Sequence, residues 1–174
     1  PANLTISDGA TYSFGSIANG GAADKSFTIN NTGGVSAASM AGSGLAAPFT
    51  FKGGSYPGTG GTCGGTLAAA GSCTVIVTFA PTSAGLQSDT MNIAYDNGVS
   101  GQTSSRDMEG TGVAPALLTI SDGPTYDFGP VVATASLDKT FTVNNSGSLA
   151  ATSIAGTGIT APFTFKGGGY PGTG

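Results

Sequence analysis

The chain has 174 residues, among them 31 Gly, 9 Pro, two Cys, no His and no Trp, and five Lys plus Arg against nine Asp plus Glu give a net charge of −4. Charged residues are 8% of the chain where a globular domain carries about 25%, yet apolar residues reach 39%, which excludes a solvated disordered tail and, with Leu, Glu, Lys and Arg so scarce, a helix bundle. No apolar run approaches the roughly 18 residues of a membrane-spanning helix, the acidic balance argues against nucleic acid, and Pro1-Ala2-Asn3-Leu4 lacks the features of a signal peptide, so any targeting signal is expected outside this segment.

Residues 3–7 and 11–14 read as short strands. Lys25 to Asn31 alternates with Phe27 and Ile29 on one face, the period of a half-buried strand. Lys25 shares that parity, so it is expected to point toward the core at the strand's end. Strands follow at 35–41 and 48–52, with Gly42-Ser43-Gly44 as a turn. Leu67-Ala68-Ala69-Ala70 is at best one helical turn, and Gly or Pro interrupts every other window long enough for a helix. Cys73 to Phe79 is the strongest strand, closed by Pro81, which cannot extend a ladder. Residues 89–95 set Met91, Ile93 and Tyr95 on one face and run into the turn Asp96-Asn97-Gly98. A last strand is expected at 103–110. Seven to nine short strands between Gly-rich turns predict an all-β fold, an antiparallel β-sandwich of the immunoglobulin kind.

An internal repeat organises the whole. Leu4-Thr5-Ile6-Ser7-Asp8-Gly9 returns at 118–123 and Ala47 to Gly54 returns at 161–168, an offset of 114. Residues 1–60 and 115–174 share about 37 identities, and several mismatches are apolar exchanges: Ile17/Val131, Ile29/Val143, Met40/Ile154 and Leu45/Ile159. Those are candidate core positions. Every position from 16 to 23 differs, as an exposed loop permits. Residues 1–114 are read as one complete repeat and 115–174 as the first half of a second, a window on a longer tandem array. Residues 61–174 also span one period, so the covalent unit can be phased differently.

The run Gly71-Ser72-Cys73-Thr74-Val75-Ile76-Val77-Thr78-Phe79-Ala80-Pro81-Thr82-Ser83-Ala84-Gly85, the closing Glu109-Gly110-Thr111-Gly112-Val113-Ala114-Pro115, Phe14-Gly15, and Lys25 to Asn31 resemble the bacterial choice-of-anchor D repeats, immunoglobulin-like modules of the ASH/HYDIN superfamily. The resemblance covers the first repeat and the available half of the second. It implies seven-stranded modules strung along large secreted or surface-attached bacterial proteins, and no catalytic residues.

Cys63 and Cys73 enclose nine residues and, without His, offer too few ligands for zinc. A disulfide is the favoured reading and implies a compartment outside the cytosol, with two buried free thiols as the alternative. Absence of His removes the commonest general base. Ser136-Leu137-Asp138-Lys139 spells the S-x-x-K of penicillin-recognising enzymes but lies at a strand entrance, and its counterpart at 22–25 has no Ser. Asp8, Asp24, Asp89, Asp96, Asp107 and Glu109 are dispersed; the loop at Asp96 and Asn97 is the one candidate for weak calcium binding. An isopeptide bond from an inward Lys25 is the unusual alternative to a side chain that merely reaches back to solvent. The N-x-[ST] matches at Asn3, Asn30 and Asn144 are taken as chance. Phe49, Phe51 and Tyr56 recur at 163, 165 and 170 and are expected to pack the sandwich, or else Tyr56 and Tyr170 form a contact surface for a glycan or protein ligand.

The resulting expectation is a non-catalytic stalk, fibre or filament segment. It has no cofactor or metal, its partners are neighbouring repeats or identical subunits, and it lies outside the cell or on its surface. The alternative is an adhesive module that binds carbohydrate or protein through loops at one end.

Overall fold

The computed structural model describes residues 1–173 and divides the chain into two compact units, Pro1–Ala114 and the remainder from Pro115. In the first unit the strands are β1 (Leu4–Ile6), β2 (Thr11–Ala18), β3 (Ala23–Asn31), β4 (Ala38–Ser43), β5 (Phe49–Phe51), β6 (Ser72–Phe79), β7 (Gly85–Asp96) and β8 (Gly101–Val113). They form two four-stranded sheets, in the orders β1-β3-β6-β5 and β2-β8-β7-β4. These are the A-B-E-D and C-F-G sheets of an immunoglobulin-like sandwich, with strand A split so that its second half joins strand G.

Alternation builds the core. β6 buries Cys73, Val75, Val77 and Phe79, β3 buries Phe27 and Ile29, β5 buries Phe49 and Phe51, and β7 and β8 answer with Met91, Ile93, Tyr95 and Met108. Phe49 stacks on Phe79 with centroids 4.7 Å apart, and Phe14 tilts against both rings at 5.8 and 5.6 Å. The facing strand makes room with a glycine: a Cβ at Gly110 on β8 would lie 2.5 Å from the Phe79 ring.

One ladder departs from an all-antiparallel sandwich. β2 pairs with β8 in parallel, Thr11 with Asp107 through Ala18 with Val113. After β1 the chain changes sheets through Asp8 and Gly9, at φ 72 and 77, and continues in the same direction, which is that of β8. Residues 16–18, expected as loop, are therefore the end of β2, and Ile17 packs on the core. β4 lies later than the expected 35–41, because Asn31 holds the preceding loop by donating to Val35 O and Leu67 O. Gly42 belongs to that strand rather than to a turn. Leu67 forms a bridge with Ala37, so residues 67–70 make no helical turn. Lys52–Gly54 forms a single 3-10 turn that the sequence did not announce.

The second unit contains β9 (Leu118–Ile120), β10 (Val143–Asn145) and a 3-10 turn at Lys166–Gly168. The β9–β10 ladder pairs Leu118 with Asn145 and Ile120 with Val143, as β1–β3 pairs Leu4 with Asn31 and Ile6 with Ile29. The counterparts of β2, β4 and β5 are not strands. In the first unit those three draw their ladders from β8, β7 and β6, and this sequence holds one copy of β6–β8. A strand without a neighbour has no ladder to join.

Candidate interaction surface

Cys63 and Cys73 form a disulfide with Cα atoms 4.8 Å apart. Thr62 and Cys63 both donate backbone N–H bonds to Thr74 O, so the bond ties the β5–β6 connection to the edge of β6. By the loop-entropy account a ring of this size stabilises by about 2–3 kcal/mol.

Lys25 lies at the end of the buried stripe of β3, its Nζ 4.7 Å from the centroid of Tyr12 and 2.7 Å from Asp8 Oδ1. The contact is an ion pair. Lys25, and then the Ser7 hydroxyl, hold the Asp8 carboxyl below its usual range. Lys52 and Thr78 do the same for Asp24, with Lys52 Nζ 2.7 Å from Asp24 Oδ2. The second unit repeats both pairs: Lys139 reaches Asp122 at 2.8 Å and Lys166 reaches Asp138 at 2.9 Å. Lys139, the lysine of the S-x-x-K match, is thus engaged by Asp122, which raises its pKa, and Ser136 lies outside any helix.

In the Asp96-Asn97-Gly98 turn, Asp96 Oδ1 accepts from Gly98 N, and Asn97 Oδ1 accepts from the amides of Val99 and Ser100. Among the described residues no group of three or more His, Cys, Asp or Glu is arranged to hold a metal ion. No helix among them is long and apolar enough to cross a membrane.

Tyr56 is half-buried against the core, edge-on to Phe51 at 5.8 Å, and its hydroxyl donates to Gly64 O at 3.2 Å. Burial raises its pKa. Gly42 lies beneath the pair, where a Cβ would stand 2.3 Å from the Tyr56 ring. Tyr170 meets Phe165 in the same way at 5.6 Å but is 42% exposed.

Sequence reasoning missed Arg106. Its side chain is buried on β8 and Nη2 donates to Ile6 O, where strand A leaves the first sheet, while Nε has no partner. An Arg on a strand otherwise polar at alternate positions gives no sequence signal of burial.

The most distinctive surface is the apolar face of the second unit. Its local geometry copies the first: Tyr126 meets Phe128 at 5.1 Å and Phe141 at 5.5 Å, as Tyr12 meets Phe14 at 5.1 Å and Phe27 at 5.4 Å. Phe128 lies 5.7 Å from Phe163, against 5.8 Å for Phe14 and Phe49. Nevertheless Phe141 is 39% and Phe163 56% exposed where Phe27 and Phe49 are fully buried. Leu118, Val143 and Ile154 lie open on the same unit. The face keeps its form and is more open than its counterpart in the first unit.

No protein-family model matches the chain, and no curated protein matches it. Solved structures do. The ASH/PapD-like domain 7 of human CEP192 is similar over 64% of this chain and 86% of that one, at 18% identity and a TM-score of 0.48. The VesB protease of Vibrio cholerae is similar over 62% of this chain and 31% of that one, at 16% identity and a TM-score of 0.51. A family 123 glycoside hydrolase from Clostridium perfringens is similar over 66% of this chain and 27% of that one, at 8% identity and a TM-score of 0.47. The chain thus spans less than a third of either enzyme. The likeness to the VesB protease, at 16% identity, is one of fold alone, and the strand order above defines this chain's fold as an all-β immunoglobulin-like sandwich.

Proposed function

We propose that the chain is a non-catalytic structural repeat of a secreted or surface-attached bacterial protein of the choice-of-anchor D type, a module of a fibre, filament or adhesin stalk. The observation that carries this reading is the repeat itself: an offset of 114 residues returns not only residues but the same ring contacts and ion pairs. Tandem immunoglobulin-like modules with short connections make extended, stiff arrays. Here β8 runs to Val113 and the next copy opens at Pro115. The disulfide supports an oxidising compartment. The polar atoms of the candidate sites are occupied by turn amides and ion pairs, which fits a spacer better than a reaction centre.

Electron microscopy of the native protein released from its source cells, decorated with an antibody raised against this chain, tests the reading. Label spaced along a filament at one sandwich length, about 40 Å for strands of twelve residues, is the expected result. Label on a compact particle, or label reached only after the cells are permeabilised, would overturn it.

A further inference from the structure

Among the described residues one charged side chain is buried, Arg106, and what strand A requires accounts for its place. β1 is the edge strand of its sheet. Asn3 O accepts from Thr32 N, Thr5 pairs with Asn30 and Ser7 N donates to Thr28 O, so the main-chain groups of Leu4 and Ile6 point away from β3. Buried carbonyls need partners. The other sheet supplies them: Ser104 Oγ donates to Leu4 O at 2.6 Å, Arg106 Nη2 donates to Ile6 O, and Leu4 N donates to Tyr95 Oη at 3.3 Å. Ser104 and Arg106 stand two apart on β8, as Leu4 and Ile6 do on β1, so donors and acceptors keep the same spacing.

Past Asp8 and Gly9 the same strand joins β8 by main chain, from Thr11 beside Asp107 to Ala18 beside Val113. β8 therefore holds strand A twice, by side chains before the crossover and by a parallel ladder after it. In a tandem array tension enters this unit at Ala2 and leaves it at Val113, near opposite ends of β8, whose thirteen residues span about 40 Å. Strand A is then drawn toward its start and β8 toward its end. Neighbouring parallel strands drawn in this way slide along each other, so their bonds stretch together instead of opening one by one.

We propose that strand A and β8 form a mechanical clamp, the parallel β2–β8 ladder stapled to β1 by Ser104 and Arg106, which sets the force at which the module yields along the chain. The clamp takes the tension first because its two strands are the ones by which the chain enters and leaves. Yielding under tension follows the rate of unfolding and not the equilibrium stability, which gives this ladder a part distinct from that of the core. The use of the clamp in a stalk rests on the structural-repeat reading, whereas its mechanics is a property of the module alone, so either can fail without the other.

Optical-tweezers stretching of the 174-residue polypeptide tests the clamp. One handle is fixed at residue 1 and the other at a thiol introduced by Ala114→Cys or by Val99→Cys, the latter at a side chain 82% exposed in the β7–β8 turn. Handles at 1 and 114 shear the clamp. Handles at 1 and 99 lie at one end of it, since Ala2 N–H donates to Asn97 O, and peel it open. At one loading rate the sheared form should yield at a force several-fold above that of the peeled form, and equal forces would overturn the proposal. Arg106→Met, which removes the donors and keeps an apolar side chain, should lower the shearing force and leave the peeling force near its original value. Unchanged shearing force in a variant that retains its β-sheet circular dichroism would overturn the part assigned to Arg106. Ser104→Ala removes only the bond to Leu4 O and carries the same expectation should Arg106→Met fail to fold.

Discussion

Phe49 and Phe163 hold equivalent places in the two copies, each after a cis alanyl-prolyl bond and each against an equivalent phenylalanine, yet one is fully buried and the other is 56% exposed. What separates them is residues 61–114, which supply Phe79 to the first copy and have no second copy in this sequence. Residues 1–60 and 115–173 write the same turns, ring contacts and ion pairs from local sequence alone. Burial and most of the ladders come from the complementary half. Local geometry and cooperative packing are thus separable within this chain, and matched substitutions in the two copies test that separation.

The largest contrast is expected from Phe49→Ala against Phe163→Ala. The first leaves a cavity beside Phe79 and should cost about 3–5 kcal/mol. The second removes a side chain already open to water and should change the same transition by less than about 0.5 kcal/mol. Urea unfolding in dilute solution measures both, and equal losses would break the contrast.

The disulfide belongs to the complement, so reducing it should touch the first unit alone. Cys63→Ser/Cys73→Ser is expected to lower that unit's stability by about 2–3 kcal/mol. Intact mass after denaturing, non-reducing alkylation checks the bond directly, since uptake of two alkyl groups would refute it.

Gly42→Ala and Gly156→Ala form a subtler pair. Each new Cβ would fall 2.3 Å from a tyrosine ring, Tyr56 or Tyr170. Tyr56 is pinned by the core and by Gly64, so overpacking there should cost about 1–3 kcal/mol. Tyr170 has room to move aside, and Gly156→Ala should leave the thermal midpoint unchanged.

The smallest effect is electrostatic. Lys25 and Ser7 depress the Asp8 carboxyl below its usual 3.8 in the folded state. The pair therefore stabilises the fold above that pH, and its contribution is lost as pH falls through the lower, folded value. Asp8→Asn should flatten the acid limb of the first unit's stability by about 0.2–1 kcal/mol, the range of exposed pairs. Asp122→Asn should leave that limb as it is.

Alternation made β3, β6 and β7 legible from sequence, because each buries one face and leaves the other polar, and the C-x9-C spacing in a chain without His led to the disulfide. The parallel β2–β8 ladder was not legible: it depends on strand A changing sheets at Asp8 and Gly9, and two short strands in sequence do not reveal which sheet each joins. Divergence at 16–23 read as loop, although Ile17 and Ala18 pair with Gly112 and Val113; main-chain ladders tolerate side-chain change at an edge strand. Arg106 was hidden by its charge, since its burial depends on one carbonyl, that of Ile6, a hundred residues away.

Hydrogen exchange on a polypeptide of these 174 residues, read segment by segment in a demonstrably monomeric sample, tests most directly the claim that residues 61–114 confer cooperative packing on residues 1–60. Residues 23–31 should exchange only with global opening of the first unit, while residues 137–145, with the same alternating sequence but no counterpart of β6 within these 174 residues, should exchange in that polypeptide close to the rate of an open chain. Equal protection of the two segments in that monomer would contradict the account.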